Sequence, residues 1–165
     1  MQDPEIADLD PQPTVAVRVQ QPMAALDLAA AFDRYIPELA GRATEAGATL
    51  AGAPYGRYHR FGPDVVDVEI GWPLDASLTD WPALGDVQAG DAGRSELPGG
   101  PVARAVHLGP YDGLSASYDA LHEWIHAQPA VDDAAGPWES YVESPLDAAD
   151  PAAVRTILCW PLRRV

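Results

Sequence analysis

No lysine occurs in this chain, and its ten basic residues, all arginine, face 25 acidic ones for a formal net charge of −15. A surface this acidic repels phosphate backbones, which are held by clustered Lys and Arg, and no basic helix-turn-helix-like segment is present. Direct nucleic-acid binding is therefore not expected. Cysteine is nearly absent as well: Cys159 stands alone, so no disulfide can form within the chain. No stretch approaches the roughly 20 apolar residues that span a bilayer. The acidic opening MQDPEIADLD has no apolar run of the kind a secretory signal requires. These absences point to a cytoplasmic protein without a membrane partner. What is abundant is core material: 47% of the 165 residues are hydrophobic and five are Trp. That suffices for one domain (1–165) that folds without a metal, disulfide or cofactor.

The chain carries an internal duplication. Gly71-Trp72-Pro73-Leu74 recurs as Cys159-Trp160-Pro161-Leu162, each closing a strand-like run. Upstream, Ala53-Pro54-Tyr55-Gly56-Arg57-Tyr58 echoes Gly136-Pro137-Trp138-Glu139-Ser140-Tyr141, and Val15–Val19 parallels Val102–Val106. Three landmarks in the same order twice define repeat one at about 14–74, a polar linker at 75–96 and repeat two at about 97–165.

Each repeat reads strand, helix, strand, strand. Thr14–Gln20 alternates in the strand period. From Met23 to Ala46, Leu28, Phe32, Tyr35, Ile36 and Leu39 form a helical stripe, which Pro37 should kink or split and Gly47 should cap. Strands 54–61 and 65–73 form a hairpin across Gly62-Pro63-Asp64. In the second repeat, strand 101–108 precedes a helix from Gly113 to Ala127 with Leu114, Tyr118, Leu121, Trp124 and Ile125 on one face. Strands 138–143 and 153–161 complete it, and the linker holds a short strand near Val87–Glu96. Alternation puts Val66, Val68, Ile70 and Trp72 on one sheet face with Asp67 and Glu69 opposite. The repeat equivalents are Val154, Thr156, Leu158 and Trp160. The fold expected is α+β: tandem β-α-β-β repeats forming an antiparallel sheet, both helices on its apolar face, its other face wet, with pseudo-twofold symmetry.

Seven segments in order, Val15-Ala16-Val17-Arg18, Phe32-Asp33-Arg34-Tyr35, Gly52-Ala53-Pro54-Tyr55, Val66-Asp67-Val68-Glu69, Leu97-Pro98-Gly99-Gly100, His107-Leu108-Gly109-Pro110-Tyr111 and Trp138-Glu139-Ser140-Tyr141, resemble the GyrI-like small-molecule-binding domains. These include the effector-binding domains of multidrug-sensing bacterial transcription activators. The resemblance implies SHS2-type repeats and a groove between the helices that takes an apolar or cationic organic ligand. It makes Glu139 the acid that meets a ligand's charge. Its repeat partner is Gly56, so the acid breaks the internal symmetry. Tyr55, Tyr58, Tyr111, Tyr141, Trp72, Trp160, Phe32 and Leu114 would supply the apolar walls, with Tyr55, Tyr111 and Tyr141 on the rim and Trp124, Tyr118 and at least one of Trp72 and Trp160 in the core. No DNA-binding domain accompanies the segments, which leaves a stand-alone binder as the leading reading. Some stand-alone relatives resemble hydrolases of cyclopropane-bearing natural products; here Glu139 would be the base and Tyr55 or Tyr111 the donor. A topoisomerase-type protein partner is a third reading.

Other motifs compete poorly. His122-Glu123-Trp124-Ile125-His126 fits the H-E-x-x-H pattern, but the core stripe puts both histidines on its flank and Glu123 nearly opposite, so exposed, metal-free residues are expected. Glu69 and Asp67 fall on the face expected to be wet. Ser115 and Ser117 have no histidine matched to them in sequence, and Asp86–Asp91 lacks calcium-loop spacing.

Overall fold

The computed structural model describes residues 1–75, 84–134, 136–145 and 148–164. Linker residues 76–83 and the loop positions 146–147 lie outside the described residues. The chain divides into two compact units, Pro11–Leu97 and Met1–Asp10 with Pro98–Val165.

In the unit Pro11–Leu97, β2 (Gln12–Gln21) pairs antiparallel with β4 (Val66–Pro73), which pairs with β3 (Tyr55–Phe61). On the other edge of β2 lies β5 (Gly93–Leu97). Helix α1 (Leu28–Glu45) begins at Asp27, whose carboxylate accepts the Ala30 N–H at 3.0 Å and satisfies one of the first-turn donors. It remains one helix across Pro37, so the expected split does not occur. Gly47 ends it at φ +73°: its N–H bonds the Thr44 carbonyl and Ala48 N–H bonds that of Ala43, the two bonds of a Schellman stop. Leu39 and Ala43, with Phe32, Tyr35 and Ile36, pack on Val15, Val17, Val66, Val68 and Ile70.

The other unit repeats this plan. β6 (Gly100–Leu108) pairs with β9 (Arg155–Arg164), and β9 with β8 (Trp138–Glu143). β1 (Glu5–Leu9) lies along the outer edge of β6, and the short β7 (Val131–Asp133) pairs with the end of β9. Helix α2 (Leu114–His126) sets Leu121 and Ile125 on Ala103, Ala105 and Leu158. The fold is thus α+β with tandem β-α-β-β repeats, each carrying its helix on one face of an antiparallel sheet.

Register aligns the repeats residue by residue. Trp72 sits opposite Val15, and Trp160 opposite Ala103. Val15 therefore matches Ala103, not Val102 as the sequence suggests, and His107 takes the place of Val19. A one-residue slip exchanges the two faces of a strand, so the correction decides which side chains face the helix. Each indole N–H donates to a backbone carbonyl just before the second strand of its repeat, Trp72 to Gly52 at 3.2 Å and Trp160 to Ala134 at 3.0 Å. The first strands of the two repeats also exchange partners. β1 precedes β2 in sequence yet pairs with β6, while β5 precedes β6 yet pairs with β2.

Candidate functional site

Glu139 sits opposite Leu158, and Tyr141 opposite Thr156, so both project from β8 toward the face that α2 covers. Gly56, opposite Ile70, is the structural counterpart of Glu139, and the acid is one-sided as the repeat alignment implies. Glu139 is buried, 5% exposed. The Tyr141 hydroxyl donates to its Oε2 at 2.7 Å, and among the described residues no cation forms an ion pair with it. Burial pushes its pKa up from the ordinary Glu value, against the pull of the Tyr141 and Tyr118 hydroxyls and of His107.

Tyr141 and Tyr118 act on this acid directly, and further aromatic rings pack on those two. Tyr111, in the single turn before α2, meets the Tyr141 ring edge-on at 5.7 Å and is 39% exposed. Tyr118 on α2 meets Trp160 edge-on at 5.9 Å, and Leu114 joins the same apolar cluster. The group formed within one unit is thus Glu139, Tyr141, Tyr111, Tyr118, Trp160 and Leu114.

Sequence reasoning missed His107. Its Nδ1 lies 2.8 Å from Ser117 Oγ and its Nε2 lies 2.9 Å from the Pro110 carbonyl. A carbonyl only accepts, so Nε2 donates to Pro110 while Nδ1 pairs with the Ser117 hydroxyl. Ser117 therefore has a histidine partner, contrary to the sequence reading. Both side chains are buried, and the second ring nitrogen meets a carbonyl where a triad needs an acid, so the pair braces α2 against β6 and does not form a hydrolytic triad. The signal for it lay in the repeat register, where a His replaces Val19.

The remaining candidates lie in the unit Pro11–Leu97. Phe32, Tyr58 and Trp72 are partly buried and pack on the core beneath α1, with Tyr58 also edge-on to Phe61. Tyr55 does not occupy a rim. It is 0% exposed, on the sheet face opposite α1, with its ring lying over Gly71. Its hydroxyl donates to Glu69 at 2.5 Å and lies 2.9 Å from Thr14 Oγ1. His59 and Ser95 also bond Glu69, each at 2.9 Å. Next to this group Asp67 pairs with Arg18 and accepts from Gln20. Alternation placed Glu69 and Asp67 on the correct face, but that face is not wet: Glu69 is 1% exposed. The carboxylates tolerate burial because each is surrounded by donors.

Three comparisons bear on this geometry. The model of the GyrI-like small molecule binding domain matches residues 2–163. No curated protein sequence matches. Among solved structures, the EcmrR C-terminal domain superposes with a TM-score of 0.76 at 21% identity, covering 99% of this chain and 98% of that one. In the EcmrR–DNA complex the TM-score is 0.75 at 20% identity, and the chain spans 58% of the longer EcmrR chain. A hydrolase from Listeria innocua gives 0.68 at 14% identity, over 98% of this chain and 92% of that one. SAV2435 bound to tetraphenylphosphonium gives 0.66 at 13%, over 98% and 94%. At these identities the superpositions speak for the fold, which agrees with the tandem repeat architecture. The family match covers nearly the whole sequence, and the chain belongs to the GyrI-like small-molecule-binding domain family.

Proposed function

We propose that this chain captures an apolar, cationic organic molecule on the aromatic face around Glu139. The observation that carries this reading is the state of that carboxylate. It is buried beside Tyr141 and Tyr118, whose rings meet those of Tyr111 and Trp160, has no ion-pair partner among the described residues, and binds its proton more tightly than an ordinary Glu. An arriving cation recovers Coulomb energy there that bulk water would screen, while the rings supply apolar and cation–π contact. The family match supports small-molecule binding, and SAV2435, a structural relative, holds the lipophilic cation tetraphenylphosphonium. Titration calorimetry with tetraphenylphosphonium and with neutral triphenylphosphine oxide tests it. Removing one partner of a buried charge contact costs about 2–5 kcal/mol. Glu139→Gln should therefore weaken the cation by more than about tenfold, one decade being about 1.4 kcal/mol. The neutral compound should lose much less. Equal losses for the two ligands, or none, would overturn the assignment.

Hydrolysis is the second reading, favoured by the raised pKa of Glu139 next to a tyrosine hydroxyl and by the fold shared with the Listeria innocua hydrolase. Glu139 would direct water onto an electrophilic carbon of a cyclopropane-bearing compound. Tyr111 or Tyr141 would polarise the substrate oxygen, since the Tyr55 hydroxyl is buried and committed to Glu69 and Thr14. Product analysis after mixing with such a compound separates the readings: turnover that is lost in Glu139→Gln favours the enzyme, and recovery of intact compound favours the binder.

A further inference from the structure

His122 and His126 stand one turn apart on α2, on the flank of its packed face, and their Nε2 atoms approach to 3.0 Å. This spacing brings two imidazoles to one point because residues four apart share a helix face. A third donor comes from another element: Asp133 on β7 sets Oδ1 3.4 Å from His126 Nε2, and the three donor atoms all lie within 4.8 Å of one another. With zinc bonds of about 2.0–2.1 Å in tetrahedral geometry, neighbouring donors stand about 3.3 Å apart; the 3.0 and 3.4 Å separations match that edge, and the remaining donor pair lies within 4.8 Å. The fourth corner is left for solvent.

The surroundings support the same assignment. Asp132 Oδ1 lies 4.0 Å from His126 Nδ1, the side of the ring that a metal-bound histidine turns to an outer carboxylate. Arg163 fixes that carboxylate at 2.5 Å. The His122 ring lies 5.3 Å from the Trp160 ring, which limits its rotation. Two neutral imidazoles and one carboxylate give a donor set of single negative charge, suited to a borderline dication and poorly suited to hard Mg2+ or Ca2+. Glu123 is exposed and offers no base to this point, so the arrangement is not that of a zinc protease.

We propose that His122, His126 and Asp133 form a three-ligand site for a borderline divalent metal ion, Zn2+ being the ion the donors fit, and that the bound ion clamps the last turn of α2 to β7. This revises the metal-free expectation drawn from the helix stripe, which could not show Asp133 arriving from β7. The test is calorimetric titration of the chelator-stripped full chain with Zn2+, together with thermal melts and the visible spectrum of the Co2+ form. About one ion should bind per chain, raise the melting temperature by mass action and show the intense absorption of tetrahedral Co2+. His122→Ala should abolish all three effects. Losing even an outer partner of a ligand typically costs about 10–100-fold in affinity, so Asp133→Asn should cost at least about tenfold. Melts in chelator show whether each variant is folded. Absence of Zn2+ binding overturns the proposal, as does stoichiometric binding that survives His122→Ala. Affinity unchanged in Asp133→Asn overturns it too, since that would leave a bare helical histidine pair.

Discussion

Two buried glutamates on opposite faces of their sheets have opposite protonation behaviour, and the difference separates a structural acid, Glu69, from Glu139, the acid proposed to meet a ligand. Burial pushes the Glu69 pKa up, but bonds from His59, Tyr55 and Ser95 outweigh it and hold the carboxyl below the ordinary value. Its stabilising contribution is therefore present above the unfolded Glu range and is lost as pH falls through the lowered native value. Glu69→Gln should cost about 1–3 kcal/mol at neutral pH by leaving buried donors poorly matched, and less in acid, measured by denaturant melts at several pH values. For Glu139, burial wins over the tyrosine hydroxyls and the pKa is raised. The native state then holds the proton more tightly than the unfolded chain, so this contribution is complete in acid and disappears as pH rises through the raised value. Glu139→Gln should stabilise the fold at neutral pH by on the order of 0.5–2 kcal/mol while impairing cation capture, the usual exchange of stability against function. Cation affinity of the wild type should fall as acid protonates Glu139, and that fall should be absent in Glu139→Gln. A melting temperature lowered by Glu139→Gln and raised by Glu69→Gln would reverse the two roles.

Within the elements, two glycines, one on a helix surface and one in a sheet, respond oppositely to a methyl group. Gly41 lies in the interior of α1, exposed, with open space where a Cβ would stand. Gly41→Ala should stabilise by about 0.5–1 kcal/mol through helix propensity alone. Gly71 on β4 would put its Cβ 2.5 Å from the Tyr55 ring, which is buried and tethered through its hydroxyl. Gly71→Ala should cost about 1–3 kcal/mol as overpacking, and thermal melts of the two variants should move apart. Why Gly71 is needed was not legible in sequence, where it marks only the end of a strand before Trp72. The strand and helix periods did reveal the β-α-β-β plan, and the repeated Trp-Pro-Leu fixed the last strand of each repeat. The first strands slipped by one because Val-Ala-Val and Val-Ala-Arg-Ala-Val alternate equally well in either phase. β1 was not readable: Glu5–Leu9 is short and acidic, and its partner β6 lies about ninety positions away, a pairing that local periodicity does not encode. The site was legible in the same uneven way. Glu139, Tyr141 and Tyr111 lie together, whereas Tyr55 sits beside the same Gly and Pro signals yet points to the other face, because register and not composition sets the direction of a strand side chain.

At the scale of the whole molecule, the net charge of −15 sets a field that acts on every cation whether or not it reaches Glu139. Repulsion among so many exposed carboxylates also opposes the compact state, so the melting temperature should rise between low and moderate NaCl as the Debye length contracts from about 30 Å at 0.01 M to about 8 Å at 0.15 M. The same screening separates the long-range and local parts of ligand capture. A lipophilic cation is drawn toward the protein by the diffuse field, and that contribution should decline with salt equally in wild type and Glu139→Gln. The proposed contact with Glu139, a residue only 5% exposed, would be made where little solvent or salt enters and would be screened far less. Titrating tetraphenylphosphonium into both proteins at low and moderate salt should thus give affinities that fall in parallel, with the wild-type advantage over Glu139→Gln nearly constant. An advantage that disappears at moderate salt would mean that Glu139 acts as one more surface charge in the field, and recognition of the cation would then rest on the rings of Tyr111, Tyr141 and Trp160.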